Sequence, residues 1–247
     1  MAGHSEPPTD EILRQQIDYY RHRSAEYDEW FQRQGRYDRG DALNKQWFDE
    51  VAELEKALDD FRPAGRVLEF ACGTGWWTQR LAKYADSLTA IDASPEVIEI
   101  NRRRLGPDAT RVQYVQSDIF RWRPAERYDV AFFSFWLSHV PPEKFEPFWD
   151  VVRSSLAPAG RVFFIDSAYT QTSTAKDHSL EGPDASTMTR RLNDGREYRI
   201  VKVFYDPSAL QQRLESIGWQ ATVRPTPTFF IHGSAHPSPS PSKPGQR

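Results

Sequence analysis

Two helical patterns of apolar positions occupy the first quarter of the chain. Between residues 10 and 34 apolar and aromatic side chains recur three or four residues apart, which predicts one amphipathic helix or two shorter ones that end before Gly35. A second pattern predicts a helix over 41–61, which Pro63 and Gly65 terminate. We therefore expect residues 1–62 to form a helical N-terminal segment.

From residue 66 the pattern changes to alternating short apolar runs and helical segments. Strands separated by helices of about this length form right-handed crossovers and a mostly parallel sheet. The pattern predicts a doubly wound α/β domain over 63–233. The predicted strands are 66–71, 87–92, 111–118, 128–135 and 160–167, and the predicted helices between them are 75–84, 94–105 and 143–156.

The pattern after residue 167 departs from simple alternation. It predicts a hairpin within 189–205 around the turn 193–195, a helix over 207–217, and one or two closing strands in 220–233. The insertion 168–205 is long for a connection, and such segments commonly carry function, so we expect it to form a lid. Pro and Ser dominate from residue 234 onward, which predicts a disordered tail over 234–247.

Composition and charge narrow the classes of function. The 247 residues fit one α/β domain with additions. A formal charge of −3 without a large basic cluster argues against nucleic-acid binding. No apolar run is long enough to span a membrane, no export signal begins the chain, and one cysteine, Cys72, excludes an intramolecular disulfide, so we expect a cytoplasmic protein. Monomer and homodimer are both compatible with the sequence.

The first predicted strand leads into a glycine-spaced turn, "LEFACGTGWWT". Glu69 lies inside the strand, and Gly73 and Gly75 lie in the turn, where the missing Cβ atoms allow close approach of the backbone to a ligand. A dinucleotide fingerprint has a third glycine where Thr78 stands, and paired tryptophans crowd the position of a pyrophosphate. The turn thus disfavours a nicotinamide-dependent oxidoreductase, which remains an alternative.

Ligands of open α/β sheets bind outside the carboxyl ends of the strands. The loops after residues 71, 91, 117 and 134 should therefore line one crevice, and they hold "ACGTG", "IDAS", "SDIF" and "FWLSH". The E-x-x-x-G-x-G turn, Asp92 at 17 residues after Gly75, and the pair Asp118 and Ile119 resemble the motifs of the class I, seven-stranded S-adenosylmethionine (SAM) dependent methyltransferases.

The resemblance implies a Rossmann-like, mostly parallel seven-stranded sheet and SAM as the cofactor. It implies that Glu69 orders the loop and the cofactor amino group and that Asp92 accepts hydrogen bonds from the ribose hydroxyls. Asp118 would accept from the adenine amine while Ile119 packs on the ring. The predicted cofactor contacts are Tyr20, Glu69, Ala71, Gly73, Gly75, Trp77, Asp92, Ala93, Asp118, Ile119 and Ser134.

Methyl transfer to a hydroxyl requires an aligned acceptor and removal of a proton. In the resembled family the loop after the fourth strand faces the methyl group, so His139 is the predicted general base. This loop lacks the N/D-P-P-Y/F element of methyltransferases that act on adenine or glutamine amides. Cytosine C5 methyltransferases need a cysteine nucleophile, but the only cysteine lies in the glycine turn, so both kinds of enzyme are disfavoured. The prediction is a small-molecule acceptor methylated on oxygen, with carboxylate methylation, N-methylation or non-catalytic SAM binding as alternatives.

The resemblance implies that residues 1–62 form a helical cap that closes over the cofactor. The remaining candidates come from this cap, the fifth strand and the loop after the fourth strand. Arginines of the cap could bind an anionic acceptor, and its tyrosines could line the pocket. No cluster of Asp, Glu and His has metal-ligand spacing, so no metal is predicted. The predicted catalytic residues are His139, Asp166 and His22, and the predicted acceptor-binding residues are Tyr19, Tyr27, Arg36, Arg39 and Trp136.

Overall fold

The cap consists of short helices around one long helix. The computed structural model describes residues 9–239. The first apolar pattern forms two helices, α1 (Thr9–His22) and α2 (Tyr27–Phe31), followed by a 3-10 turn at Gly35–Tyr37. The second forms α3 (Asp41–Phe61), with the bounds that the sequence predicted. Residues 1–8 of the predicted cap lie outside the described residues.

Seven strands form the central sheet, as the resemblance implied. Its first half comprises β1 (Gly65–Phe70), α4 (Trp76–Leu81), β2 (Ala85–Asp92), α5 (Pro95–Leu105) and β3 (Val112–Gln116). The second half comprises β4 (Tyr128–Ser134), α6 (Phe145–Ser155) and β5 (Leu156–Ser167). An insertion carries the hairpin β6 (Thr187–Arg191) and β7 (Glu197–Val201), and the chain closes with α7 (Pro207–Ser216), β8 (Trp219–Pro225) and β9 (Phe230–Pro237).

The strand order across the sheet is β3-β2-β1-β4-β5-β9-β8. β1 to β5 are parallel, and β9 runs antiparallel to both β5 and β8. The chain moves outward from β1 to β3 and then returns to place β4 on the other side of β1. A doubly wound sheet opens a crevice at such a reversal, so the carboxyl ends of β1 and β4 mark the expected site.

Both faces of the sheet are buried, which explains the continuous apolar runs of its strands. Successive strand residues point to opposite faces, so Phe132 and Phe133 of β4 belong to different apolar clusters. One cluster includes Trp47 of α3 together with side chains of α4 and α5. The other includes Trp149 of α6 and Trp219 of β8, whose ring centroids lie 4.8 Å apart. Within residues 9–239 none of the helices combines the length and the apolar character needed to cross a membrane.

The predicted disorder from residue 234 is wrong for residues 234–237, which belong to β9. Ser234 pairs with Phe163 of β5, and Ala235 pairs with Val162. These backbone pairs satisfy the polar groups of a segment whose composition offers little to bury, and composition does not register pairing with a distant strand. Residues 240–247 of the predicted tail lie outside the described residues.

The insertion between β5 and α7 packs against the cap. Its hairpin forms a separate two-stranded sheet that lies along α1. Tyr19 of α1 is buried in a small cluster with Met188, Leu192 and Ile200 of the hairpin region. The cap and the insertion therefore form one layer, and that layer reaches the carboxyl edge of the sheet, because Val203 pairs by its backbone with Ser138 after β4.

Candidate functional site

A chamber opens at the carboxyl ends of β1, β2 and β4, where the strand order reverses. It has an empty volume of about 820 Å³, including the part open to solvent, and we call it the first chamber. Strand-end loops form its floor, and Gln16, Ile17 and Tyr20 of α1 lie on its opposite side. The structure brings eight of the predicted cofactor contacts to it, namely Tyr20, Ala71, Gly73, Asp92, Ala93, Asp118, Ile119 and Ser134.

Asp92 holds two of these loops together. Its Oδ2 accepts a hydrogen bond from the backbone N–H of Gly73 at 3.0 Å, and its Oδ1 accepts one from the N–H of Ser94 at 3.0 Å. Burial raises the pKa of Asp92, and these amide hydrogen bonds oppose the rise. Gly73 has φ +54°, and a Cβ there would lie 3.5 Å from the Tyr27 hydroxyl of the cap. The glycine thus permits a narrow gap between floor and cap.

The other three predicted cofactor contacts do not line the first chamber. Trp77 is buried in the core against Phe132, with ring centroids 6.0 Å apart, because this face of α4 packs on the sheet. Glu69 is 1% exposed inside β1, and its Oε2 has no hydrogen-bond partner. Burial raises the pKa of Glu69 to about 8, with a hydrogen bond to Thr78 opposing the rise and Asp92 adding to it. Gly75 is buried immediately before α4, and its Cβ position faces Asn101 of α5.

Asn101 of α5 braces the glycine turn from behind, and sequence reasoning missed it. The side chain is 0% exposed. Its Nδ2 donates to Thr78 Oγ1 at 2.8 Å and to the Gly73 carbonyl at 3.2 Å. A Cβ at Gly75 would lie 2.6 Å from Asn101 Oδ1, so the second glycine makes room for this amide rather than for a ligand. The sequence does contain a signal for it, since Asn101 is a polar residue at a position where the helical spacing of α5 predicts a buried side chain.

The end of the first chamber beyond β3 is apolar. Ile119 is buried there, beside Phe120 and Trp136, whose ring centroids lie 5.6 Å apart. Asp118 Oδ1 accepts from the Phe120 N–H at 2.9 Å, and the carboxylate borders the chamber. Trp136 was predicted to bind the acceptor, but it lines this end because its indole packs on Phe120. Two carboxylates beside an apolar wall suit a ligand with hydroxyl or amine donors and a planar ring.

A second chamber lies beside the first, between the cap and the insertion. Its empty volume is about 600 Å³, open solvent included, and Tyr20, Tyr27, Phe135 and His139 line both chambers. The predicted residue Tyr19 also lines it. Further lining residues that sequence reasoning did not name are Arg23, Trp30, Tyr37, Ser167, Ser173, Thr174, Leu180, Arg190, Lys202 and Phe204.

His139 lies on the wall shared by the two chambers. It ends the 3-10 turn Leu137–His139 and is 6% exposed. Its Nδ1 lies 2.7 Å from the Val201 carbonyl oxygen, and its Nε2 lies 2.7 Å from the Tyr20 hydroxyl. Because a carbonyl only accepts, Nδ1 carries the hydrogen, and Nε2 accepts from Tyr20 when the ring is neutral. Burial and the Lys202 charge lower the pKa of His139 well below its ordinary value, which keeps the ring neutral.

Asp166 anchors the wall instead of lining it. Its Oδ2 accepts from the Ser138 N–H at 2.8 Å, and its Oδ1 accepts from the Ser167 N–H at 2.7 Å. Lys202 Nζ lies 3.7 Å from Asp166 Oδ1 and donates to Ser138 Oγ at 2.8 Å. Burial lowers the pKa of Lys202 to about 8, and Asp166 opposes the shift. The placement does not support the predicted catalytic role of Asp166, because its oxygens face backbone amides.

Three other predicted residues lie outside both chambers. His22 is exposed on α1, with Nδ1 2.8 Å from the Asp18 carbonyl oxygen, so its predicted role as a second base has no geometric support. Arg36 pairs with Asp177 at 3.3 Å, and Arg39 donates to the Thr174 carbonyl at 2.9 Å. Both arginines link the cap to the insertion. Their guanidinium groups, which were predicted to bind an acceptor, are engaged in these contacts.

The chain is similar in sequence and in structure to known methyltransferases. Residues 67–160 match the family described as "Methyltransferase domain". The chain is 34% identical to DhpI, whose structure is solved in complex with SAH (S-adenosylhomocysteine) and in complex with SAM and HEP. Each match covers 94% of this chain and 100% of the other, with a TM-score of 0.76. It is 28% identical to the Ubiquinone biosynthesis O-methyltransferase of Xanthomonas axonopodis pv. citri, over 76% of this chain and 81% of that protein.

Other curated relatives match over shorter segments. Nodulation protein S of Rhizobium tropici is 35% identical over 68 residues, which cover 28% of this chain and 28% of that protein. The chain therefore spans less than a third of that relative, whereas its match to DhpI covers 94% of this chain and all of the DhpI chain.

Proposed function

Because the chain belongs to the class I SAM-dependent methyltransferases, we propose that it methylates an oxygen atom of a small molecule bound in the second chamber. It is an enzyme, and SAM is its cofactor. The residues of the first chamber fit this cofactor, since carboxylates of Asp92 and Asp118 border a space with an apolar end at Ile119. We assign ribose binding to Asp92 and adenine binding to Asp118 and Ile119.

When bound, SAM supplies a methyl group activated by its positively charged sulfur. The enzyme then has to hold the acceptor oxygen beside that methyl group, exclude water and receive a proton. Tyr20, Tyr27, Phe135 and His139 line both chambers, so they surround the passage through which two bound molecules would meet. Tyr20, Tyr27 and Phe135 are half-buried and His139 is buried, so their rings are the groups that would exclude water from this passage.

One observation carries the preference for oxygen. The neutral His139 directs its Nε2 lone pair to the Tyr20 hydroxyl, which lies on the wall of both chambers. In the proposed reaction the acceptor hydroxyl gives its proton to the Tyr20 oxygen, while Tyr20 gives its own proton to Nε2. Tyr20 ends neutral and His139 ends protonated, so His139 is the base and Tyr20 relays the proton. The bond from Nδ1 to the Val201 carbonyl keeps the ring in the required tautomer.

The first experiment identifies an acceptor by incubating the enzyme with tritiated SAM and a metabolite extract and characterising the labelled product. Turnover of that acceptor is then compared between the wild type, His139→Ala and Tyr20→Phe. A base contributes about 10²- to 10⁴-fold to a rate, so we expect kcat to fall by that range in His139→Ala while calorimetric affinity for SAH stays within about threefold.

His236→Ala is the matched control, because His236 is an exposed histidine on β9 that lines neither chamber. It should retain the wild-type kcat. An unchanged kcat in His139→Ala would remove histidine from the mechanism, and it would favour an acceptor that arrives already deprotonated, such as a carboxylate. A methyl group found on nitrogen in the labelled product would contradict the assignment to oxygen.

A further inference from the structure

The second chamber gathers positive charge. Arg23, Arg190 and Lys202 line it, and its lining residues include no Asp or Glu. The three cations come from the segment after α1, from β6 and from the residue after β7, so the cap and the insertion supply the positive charge of the chamber. Asp166 is the nearby counter-charge, 3.7 Å from Lys202, and backbone amides already bind both of its oxygens.

Arg23 is held by rings and lacks a carboxylate partner among the described residues. Its guanidinium carbon lies 5.2 Å from the ring centroid of Tyr27, 5.6 Å from that of Tyr19 and 5.9 Å from that of Tyr37. Contacts with aromatic faces compensate part of the cost of burying a cation. Its Nη2 lies 3.4 Å from the Tyr37 hydroxyl, and its buried Nε has no hydrogen-bond partner. Donor capacity therefore remains inside the chamber.

Arg190 likewise forms no ion pair within the part of the chain that the structure describes. Its Nη1 donates to Thr174 Oγ1 at 2.5 Å and lies 3.3 Å from His178 Nδ1. Neutral partners of this kind orient a guanidinium without cancelling its charge. Arg36 and Arg39 differ from Arg23 and Arg190. Arg36 pairs with Asp177, Arg39 donates to backbone carbonyls, and neither lines the second chamber.

We propose that the second chamber binds an acceptor that carries an oxyanion, either a carboxylate or a phosphoryl group, with Arg23, Arg190 and Lys202 as its binding residues. This inference rests on the proposed function, because it names the class of that acceptor. Guanidinium groups match the paired oxygens of such anions in two parallel hydrogen bonds, and an ammonium adds a point charge. An oxyanion held there would place a neighbouring oxygen of the same small molecule close to Tyr20, which lines the same space.

The test uses calorimetric titration of the full chain, saturated with SAH, against four probes. Acetate and lactate are the carboxylate arm, methylphosphonate is the phosphoryl arm, and acetamide is the uncharged control for acetate. We expect wild-type protein to bind at least one anion and not acetamide, and the tighter arm identifies the oxyanion. Loss of one charge-assisted hydrogen bond should weaken that anion roughly tenfold or more in Arg23→Gln and in Arg190→Gln.

Arg196→Gln is the matched control, because it removes one positive charge from an exposed side chain at the hairpin turn, outside both chambers. It should bind the anion as the wild type does. Affinity for SAH reports that each variant is folded, and Arg23→Lys, which keeps the charge without the planar fork, should be intermediate if Arg23→Gln fails to fold.

Anion affinity equal to that of acetamide, or equal losses in Arg196→Gln and Arg23→Gln, would overturn the proposal. The outcomes separate it from the proposed function. Methyl transfer to an uncharged acceptor, without anion binding, would support the function and refute the oxyanion. Anion binding that depends on Arg23 and Arg190, in an enzyme that methylates nitrogen, would support the oxyanion and refute O-methylation.

Discussion

Gly75→Ala tests whether Asn101 sets the shape of the glycine turn. Gly75 has φ +91°, and a Cβ there would lie 2.6 Å from Asn101 Oδ1 and 3.1 Å from Asn101 Cα. Gly195, at the hairpin turn, has a nearly equal φ of +88° with nothing within 4 Å of its Cβ position. Gly195→Ala therefore isolates the cost of the backbone conformation, and the difference between the two variants isolates the steric conflict.

The magnitudes follow from these distances. A positive φ costs an L residue roughly 1–2 kcal/mol, so Gly195→Ala should lower the free energy of unfolding by about that amount. Overpacking a close-packed site adds roughly 1–3 kcal/mol, which gives about 2–5 kcal/mol for Gly75→Ala. Asn101 cannot withdraw freely, because its Nδ2 bonds to Thr78 and its Oδ1 accepts from the Tyr114 hydroxyl at 2.8 Å.

The assay is urea unfolding of the wild type and both variants, combined with calorimetric titration of SAH. Displacement of Asn101 should also move Gly73, whose carbonyl it binds at 3.2 Å, so SAH affinity should fall in Gly75→Ala and stay unchanged in Gly195→Ala. Equal losses of stability in the two variants would refute the steric argument. Unchanged SAH affinity in a destabilised Gly75→Ala would refute the claim that the contact between Asn101 and Gly73 shapes the first chamber.

Asp92→Asn should weaken SAH binding roughly tenfold or more in calorimetry, because a neutral amide replaces a charged acceptor; a loss below twofold would contradict the assignment of Asp92 to the ribose. Acetate affinity should fall as pH rises from 7 to 9.5, since Lys202 holds its proton below its pKa of about 8 and loses it above; a flat profile would exclude Lys202 from anion binding. Glu50→Ala should lower the free energy of unfolding by about 2–4 kcal/mol in urea, with Glu50→Gln less affected, because buried Glu50 Oε2 accepts from the N–H groups of Thr228 and Phe229; equal losses would contradict this reasoning.

The floor of the first chamber was predictable because parallel strands deliver their carboxyl ends to one edge. Once alternating patterns indicate such a sheet, Gly73, Asp92 and Asp118 must converge, whatever the details of packing. Trp77 shows the limit of this reasoning. Trp77 is the second residue of α4, so the helical period and not the course of the loop decides its direction, and its indole lies in the core.

The second chamber was not predictable in the same way. Its cations lie far apart in sequence, and only the packing of the insertion on the cap brings Arg23, Arg190 and Lys202 together. The sequence favoured Arg36 and Arg39, which stand in the same cap and carry the same charge. What separates the two kinds of arginine is a partner, such as Asp177 for Arg36, and that partner is on another segment.

The two chambers also differ in the sequence separation of the contacts that build them, and this bears on how the active site forms. On the floor of the first chamber the bond from the Gly73 N–H to Asp92 spans 19 residues. In the second chamber the bond from Trp30 Nε1 to the Ser173 carbonyl, which joins two lining residues, spans 143 residues. Contacts between distant segments close larger loops and form later in folding. We therefore expect mild denaturant to weaken acceptor binding before it weakens SAM binding.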